Sequence, residues 1–357
     1  MLILAPDPSG DFIASKISKT WIGNTKNTVK ALGGRALKDS GADVFIKQDP
    51  FSTIGFVDAF LNIGKTLKEF RRIEKELSKS SILVVVDGRY LLERFAPIAK
   101  KLNVPVVWVA PSPDWKQKGQ TPRTEKLGGL ADLLLVTDEM SWLAYKEAKR
   151  AIRVKNPHLN LTQNNNKKTF NNDESFLGFF PGSRKKEVER LLPVFEVLIR
   201  KFDSKKIIIS DAFGYVGKRF ECFSNVKIKK SDSKEIIPFC RVAVACSGTL
   251  VQQCVVAQTP VISVYKTSKF MWDVLSFSKK IGKAPRFWSH PNIFADAEVV
   301  PERIQDSCNP DVLKKDIEQL WEDGTSAVSK FKNISSKYVK GVGLESCWTE
   351  IYKLVEK

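Results

Sequence analysis

Two turns in the second half of the sequence bring together residue types that hold phosphate. In FFPGSRKKEVERLLP, Phe179 to Pro193, an apolar strand end runs into Pro181 and Gly182, then Ser183 and Arg184, then an amphipathic helix. Gly182 lets the backbone approach a ligand, Ser183 is placed to cap the helix, and Arg184 can fork onto phosphate oxygens at the helix N-terminus. A second junction, VAVACSGTLVQQCVVAQTPVISVYK, puts Ser247, Gly248 and Thr249 after a buried-type strand and before a short apolar helix. Two such turns can grip one diphosphate. Either one alone is also what small residues provide where a helix packs closely on a strand.

The elements that must position these turns follow a strand–helix rhythm. LILAP, DVFI, ILVVVD, PVVWVA and DLLLVT are short runs apolar on both faces, with helical patterns in several of the gaps. Such strands belong in a parallel sheet covered by helices, so residues 1–158 read as a doubly wound α/β domain. Residues 159–174, LNLTQNNNKKTFNNDE, are polar and asparagine-rich and read as a linker. The rhythm restarts in FLGFF, KKIIIS, NVKIKK, VAVAC and PVISVY, which makes 175–357 a second α/β domain closed by helices from Pro310 onward. Ligands of such sheets sit at the carboxyl ends of the strands, and two domains of this kind would face a shared cleft.

Composition narrows the class. The 357 residues exceed one ordinary core. The longest apolar runs are too short to cross a bilayer, and the N-terminus MLILAPDPSGD reads as a buried strand and its loop, not a signal peptide. A cytoplasmic location is expected. The six cysteines show no C-x-x-C spacing and the only histidines, His158 and His290, lie far apart, so no metal site is expected and the thiols should be reduced, small core residues. A net charge of +18 draws phosphates, nucleic acid or anionic lipid, or reflects only a lysine-rich composition. No helix-turn-helix, zinc-finger or ribonucleoprotein pattern accompanies it, so nucleic acid is not expected as a partner.

PGSRKKEVERLLP, CSGTLVQQCVVAQTPVISVYKTS and HPNIFADAEVVPERIQD occur in an order that resembles the lipid-A-disaccharide synthases, glycosyltransferases of GT-B fold. Upstream, PSGD (with Ser9, Gly10 and Asp11) is similar to that family's N-terminal acceptor-side loop, LGGRAL to its Gly-Gly/Pro-Arg segment, STIGFVDAF to its Met-Gly helix entry, and LVVVDGRYLLER to its aspartate motif. The resemblance implies an inverting, cofactor-free transfer from UDP-2,3-diacylglucosamine to 2,3-diacylglucosamine 1-phosphate, releasing UDP. It makes Asp87 the candidate general base, although a carboxylate capping the next helix remains an alternative. It puts Arg184 on the leaving phosphates with Gly182, Ser183, Ser247, Gly248 and Thr249, and Asn292, Glu298 and Gln305 on the donor side. Several positions depart from the pattern. Gln253 stands where the family has a glutamate, Tyr90 and Leu92 replace an aspartate and an asparagine, Trp115 and Lys116 stand for the last Trp-Arg of a shortened aromatic segment, and His158 in KNPHLN is the nearest match to a Gly-His-Pro motif.

A lipid substrate implies work on the cytoplasmic face of the inner membrane, and two stretches could meet it. FVDAFLNIGKTLKEFRRIEKELSK aligns Val57, Phe60, Leu67, Phe70, Ile73 and Leu77 with Lys65, Lys68, Arg71, Arg72 and Lys75 around them; a core-packing helix with a charged outer face is the alternative. In YKTSKFMWDVLSFSKKIGKAPRFW, Phe270, Met271, Trp272 and Phe277 interleave with lysines.

Overall fold

Short, fully apolar runs form the centre of two parallel sheets, one in each of two compact units. The computed structural model describes residues 1–48, 63–114, 119–160, 175–282 and 284–356. One unit comprises Met1–His158 with Tyr338–Lys357, the other Leu159–Lys337.

The first unit contains β1 (Leu2–Leu4), α1 (Pro8–Thr25), β2 (Lys30–Gly33), α2 (Arg35–Asp39), β3 (Asp43–Lys47), α3 (Ile63–Leu77), β4 (Leu83–Val86), α4 (Arg89–Lys101), β5 (Val106–Val109), α5 (Pro122–Gly128), β6 (Leu133–Val136), α6 (Glu139–Tyr145) and β7 (Ala151–Arg153). Its sheet runs β3-β2-β1-β4-β5-β6-β7, every pairing parallel. β4, β5 and β6 are buried at every residue, which is why they read as continuous apolar runs. β2 and β7 escaped the sequence reading because KALG and AIR are too short to show a period.

The second unit contains β8 (Phe176–Phe180), α7 (Lys185–Lys201), β9 (Ile207–Ser210), β10 (Val226–Lys229), α8 (Ser233–Ile236), β11 (Cys240–Cys246), α9 (Thr249–Val256), β12 (Val261–Tyr265), α10 (Lys269–Lys280), α11 (His290–Ala295), β13 (Glu302–Ile304), α12 (Pro310–Glu322) and α13 (Gly324–Tyr338). Its order, β10-β9-β8-β11-β12-β13, is again parallel throughout. β13 was likewise missed.

Both sheets therefore have the strand order of a dinucleotide-binding fold. Each reverses direction at one place, between β1 and β4 in the first unit and between β8 and β11 in the second. Loops leaving the carboxyl ends of those strands diverge and leave room for a ligand.

The C-terminal boundary differs from expectation. The tail from Tyr338, expected with the second unit, packs on the first. Val342 bridges to Val154, extending the first sheet beside β7, and Leu344, Cys347 and Ile351 are sealed in the core that holds Trp21. Tyr352, the last residue of α14 (Trp348–Tyr352), tilts against Trp21 at 5.9 Å, and Arg150 pairs with Glu350. An amphipathic tail carries no local mark of which core it covers. All six cysteines are free thiols; five are buried and Cys222 is exposed.

Candidate functional site

In the first unit the switch point gathers the β1 and β4 loops. Asp87 ends β4 with its residue exposed and its backbone left-handed at φ 55. An aspartate tolerates that conformation at a cost of about 1 kcal/mol, and neighbours hold it there. Its N–H donates to the Val109 carbonyl at 2.8 Å, and the buried Trp108 indole donates to its carbonyl at 2.7 Å. The cap position of α4 is Gly88, so Asp87 stands one residue before it.

Around Asp87 the β1 loop supplies polar groups. Asp7 caps α1, accepting from the Gly10 N–H at 2.8 Å, and Gly10 packs against Val86. Ser9 Oγ lies 3.0 Å from His158 Nε2, whose ring tilts on Phe12 at 4.8 Å. His158, the nearest match in sequence to the family's histidine motif, thus contacts the start of α1. Tyr90 was read only as a departure; its hydroxyl is buried without a hydrogen-bond partner, and burial, then the charges of Asp7 and Asp87, push its phenol well above the ordinary range. Leu92 is sealed in the core. Trp115 and Lys116 lie outside the described residues.

Asp11 does not belong with these groups. It is 4% exposed, and its carboxylate accepts from the N–H groups of Gly34 (2.6 Å) and Ala36 (2.8 Å), closing the start of α2. Burial raises its carboxyl above the usual value against the pull of those bonds. Gly33 and Gly34 are glycines because a Cβ on either would come within 2.9 Å of that carboxylate. Asp11, expected on the acceptor side, ties the first turn of α1 to the start of α2. Asp11→Ala should cost ~1–3 kcal/mol in thermal unfolding by leaving buried N–H groups unpaired. An unchanged melting temperature with lost activity would return Asp11 to the substrate.

In the second unit the two phosphate-type turns are neighbours. Gly182 adopts φ 106, and a Cβ there would stand 3.2 Å from Cys246, the last residue of β11. Pro181–Arg184 therefore abuts Ser247–Thr249, 65 residues on. Both helices that start here lack a side-chain cap: α7 begins after Arg184 and α9 after Gly248. Ser183 was expected to cap α7; the helix starts one residue later, so Ser183 stays in the turn, half-buried. α1, α5, α6, α8, α10 and α12 are each capped by a side chain, whereas α2, α4 and α11 also start uncapped. A helix start without a side-chain cap is suited to an anion.

Arg184 is half-exposed beside them, its Nη1 3.1 Å from Glu187 Oε1. Glu187 was missed, although its i,i+3 spacing from Arg184 is the signal for such a pair. Its other oxygen receives the Cys246 thiol at 3.9 Å; burial, then the Glu187 charge, keeps that thiol neutral. Ser247 and Thr249 are half-buried and Gly248 exposed.

The remaining donor-side residues fare differently. Asn292 is fully buried and spends its amide inside the fold: Nδ2 donates to the Val300 carbonyl and Glu302, and Oδ1 accepts from the N–H groups of Val299 and Val300. It organises the loop after α11 and does not line a site. Glu302, which sequence reasoning passed over, also receives the N–H groups of Trp288 and Ser289. Glu298 is exposed and pairs with Arg303 at 3.3 Å. Gln305 clamps the backbone of Thr267 after β12, accepting at 2.7 Å and donating at 3.2 Å. Gln253 is 3% exposed, its Oε1 taking the Ser233 hydroxyl at 2.7 Å, so it ties α9 to the start of α8.

A family model described as lipid-A-disaccharide synthetase matches residues 1–137 and 152–352. The chain belongs to that family. It is accordingly a glycosyltransferase, and its two Rossmann-like units are those of the GT-B fold. Among relatives of the family, the lipid-A-disaccharide synthase of Paramagnetospirillum magneticum is 26% identical over 348 residues, covering 90% of this chain and 87% of its own. That of Coxiella burnetii (strain CbuG_Q212) is 22% identical over 377 residues, with 99% and 98% covered. Among solved structures, the S. aureus MnaA–UDP complex superposes with a TM-score of 0.59 at 12% identity (100% and 97% covered). UDP-GlcNAc 2-epimerase from Neisseria meningitidis bound to UDP-GlcNAc gives 0.57 at 14% (100% and 99%), and MurG of Acinetobacter baumannii 0.53 at 14% (100% and 98%). These structural likenesses establish the architecture.

Proposed function

We propose that this chain joins UDP-2,3-diacylglucosamine to 2,3-diacylglucosamine 1-phosphate, with inversion, giving the lipid A disaccharide 1-phosphate and UDP. The observation that carries the reading is the paired, uncapped starts of α7 and α9 beside Arg184, a cradle for the UDP diphosphate. Asp87 takes the proton of the acceptor hydroxyl as that oxygen attacks the anomeric carbon from the face opposite the leaving group. The bond from that carbon to the UDP oxygen breaks, and the charge released onto the diphosphate is met by Arg184 and by donors from Gly182, Ser183, Ser247, Gly248 and Thr249. Ser9, Tyr90 and His158 belong to the acceptor side. Glu298 and Gln305 shape the donor side indirectly, through Arg303 and the Thr267 turn.

The reaction implies a peripheral position on the cytoplasmic face of the inner membrane. No helix among the described residues is long and apolar enough to cross a membrane. Purified protein given both acylated substrates should release UDP in step with disaccharide. A second reading, a nucleotide-sugar binder without transfer, draws on the buried Gln253 and on Tyr90 beside Asp87. UDP-sugar binding with no product would favour that reading and defeat the first.

A further inference from the structure

Three stretches of the chain carry an amphipathic helical pattern. In α3, Ile73 and Leu77 are sealed in the core, while Val57 and Phe60 lie outside the described residues; in α10, Phe270 and Phe277 are exposed. α7 differs in what its buried stripe contains. Leu191, Phe195 and Leu198 are fully buried, and at about 100° per residue Glu187 falls within about 80° of all three, one turn nearer the N-terminus. Its side chain is only 14% exposed. A carboxylate in a position that the pattern gives to an apolar residue needs partners, because burying its charge unpaired is costly.

Those partners come from the two phosphate-type turns. An acid at the third position of a helix commonly reaches back to the backbone N–H of the cap. Here Oε1 lies 3.1 Å from Arg184 Nη1, and Oε2 lies 3.9 Å from the Cys246 thiol at the end of β11 and 3.7 Å from where a Cβ on Gly182 would stand. The carboxylate is therefore beneath the Gly182 turn, and the guanidinium that it meets is 52% exposed in front of it. Burial, then the Glu187 charge, raises the phenol of Tyr265 at the end of β12, while Arg184 pulls the other way, so a third strand end joins the same cluster.

We infer that Glu187 is a positioning residue for the diphosphate: it does not touch the nucleotide, but holds the Arg184 guanidinium at the rim of the cradle, oriented to fork onto phosphate oxygens. The inference rests on the proposed reading of that cradle. A loose arginine loses rotamer freedom when it closes on a ligand, and ordering one such side chain on binding weakens affinity about two- to tenfold. An arginine already tied to a buried carboxylate has lost that freedom before the ligand arrives. The carboxylate adds no attraction of its own, since its charge repels a diphosphate. Its place at the cradle is explained by the orientation it imposes.

Isothermal titration of the full chain with UDP tests the role without depending on transfer. Glu187→Ala should weaken UDP binding about five- to tenfold. Glu187→Gln, which keeps an acceptor oxygen for Arg184 and can turn its NH2 toward the Cys246 sulfur, should stay within about twofold of wild type. Glu187→Asp keeps the charge, loses the reach, and should bind as weakly as the alanine variant. The opposite order, with aspartate holding and glutamine failing, would make charge the active property and overturn the inference. Because the role runs through Arg184, Glu187→Ala in an Arg184→Ala background should cost less than about twofold. An equal loss in both backgrounds means that Glu187 shapes the turn directly, which also overturns it. Should the alanine variant melt at a lower temperature, the same cycle with Glu187→Asp carries the test. Wild type that binds no UDP sinks the cradle and this inference together, whereas wild type that binds UDP no better than Glu187→Ala overturns the inference and leaves the cradle standing. UDP binding without disaccharide product defeats the transferase reading alone, and the affinities still decide the role of Glu187.

Discussion

Asp87→Asn is expected to lower turnover at least ~100-fold, about 2.7 kcal/mol of lost transition-state stabilisation, while the donor KM moves less than about threefold. Asparagine is the sharper substitution because it keeps the shape and tolerates the left-handed backbone at φ 55, which alanine would strain. The residue is exposed, so the melting temperature should hold. In the proposed reaction Asp87 acts only on the acceptor hydroxyl, and a loss confined to kcat is what removal of a proton acceptor gives. Rates within threefold of wild type for Asp87→Asn, measured as disaccharide formed, would take Asp87 out of the reaction.

Arg184→Ala should lower kcat/KM by ~100-fold or more, and here the donor should be affected as well as the rate, because in the proposed reaction the guanidinium meets the diphosphate before and during departure. Arg184→Lys should recover only part of the loss: lysine restores a point charge, not a planar fork that spans two oxygens. The existing partner does not compete strongly. The Arg184–Glu187 pair is about half solvated on the arginine side, and such pairs are worth ~1 kcal/mol or less, so stability should stay put. Isothermal titration with UDP separates the outcomes, and unaltered UDP affinity together with unaltered turnover in Arg184→Ala would remove the arginine from the phosphate cradle.

The candidate turns and the strand-end aspartate were legible because their signals are local. PGSR and SGT each name a strand-to-helix turn from a few adjacent residues, and the apolar run before Asp87 marks it as the end of a buried strand. Their meeting was not legible. Gly182 touches Cys246 only because β8 and β11 are hydrogen-bonded neighbours at the place where the sheet reverses. Three of the candidates share a feature that no local pattern shows. Asp11, Asn292 and Gln253 are polar residues within motif-like stretches, and each is spent on backbone or side-chain groups from other segments.

The sequence by itself determined two parallel α/β units, the turn chemistry suited to a diphosphate, and an aspartate at a strand end, since these depend on apolar runs and on the conformational habits of a few consecutive residues. Only the tertiary structure decided that the tail from Tyr338 completes the first unit, that α3 buries Ile73 and Leu77 while α10 exposes Phe270 and Phe277, and which polar side chains are already satisfied. Those outcomes depend on what covers a surface or answers a hydrogen bond. The partners come from distant parts of the chain, and no local pattern records them.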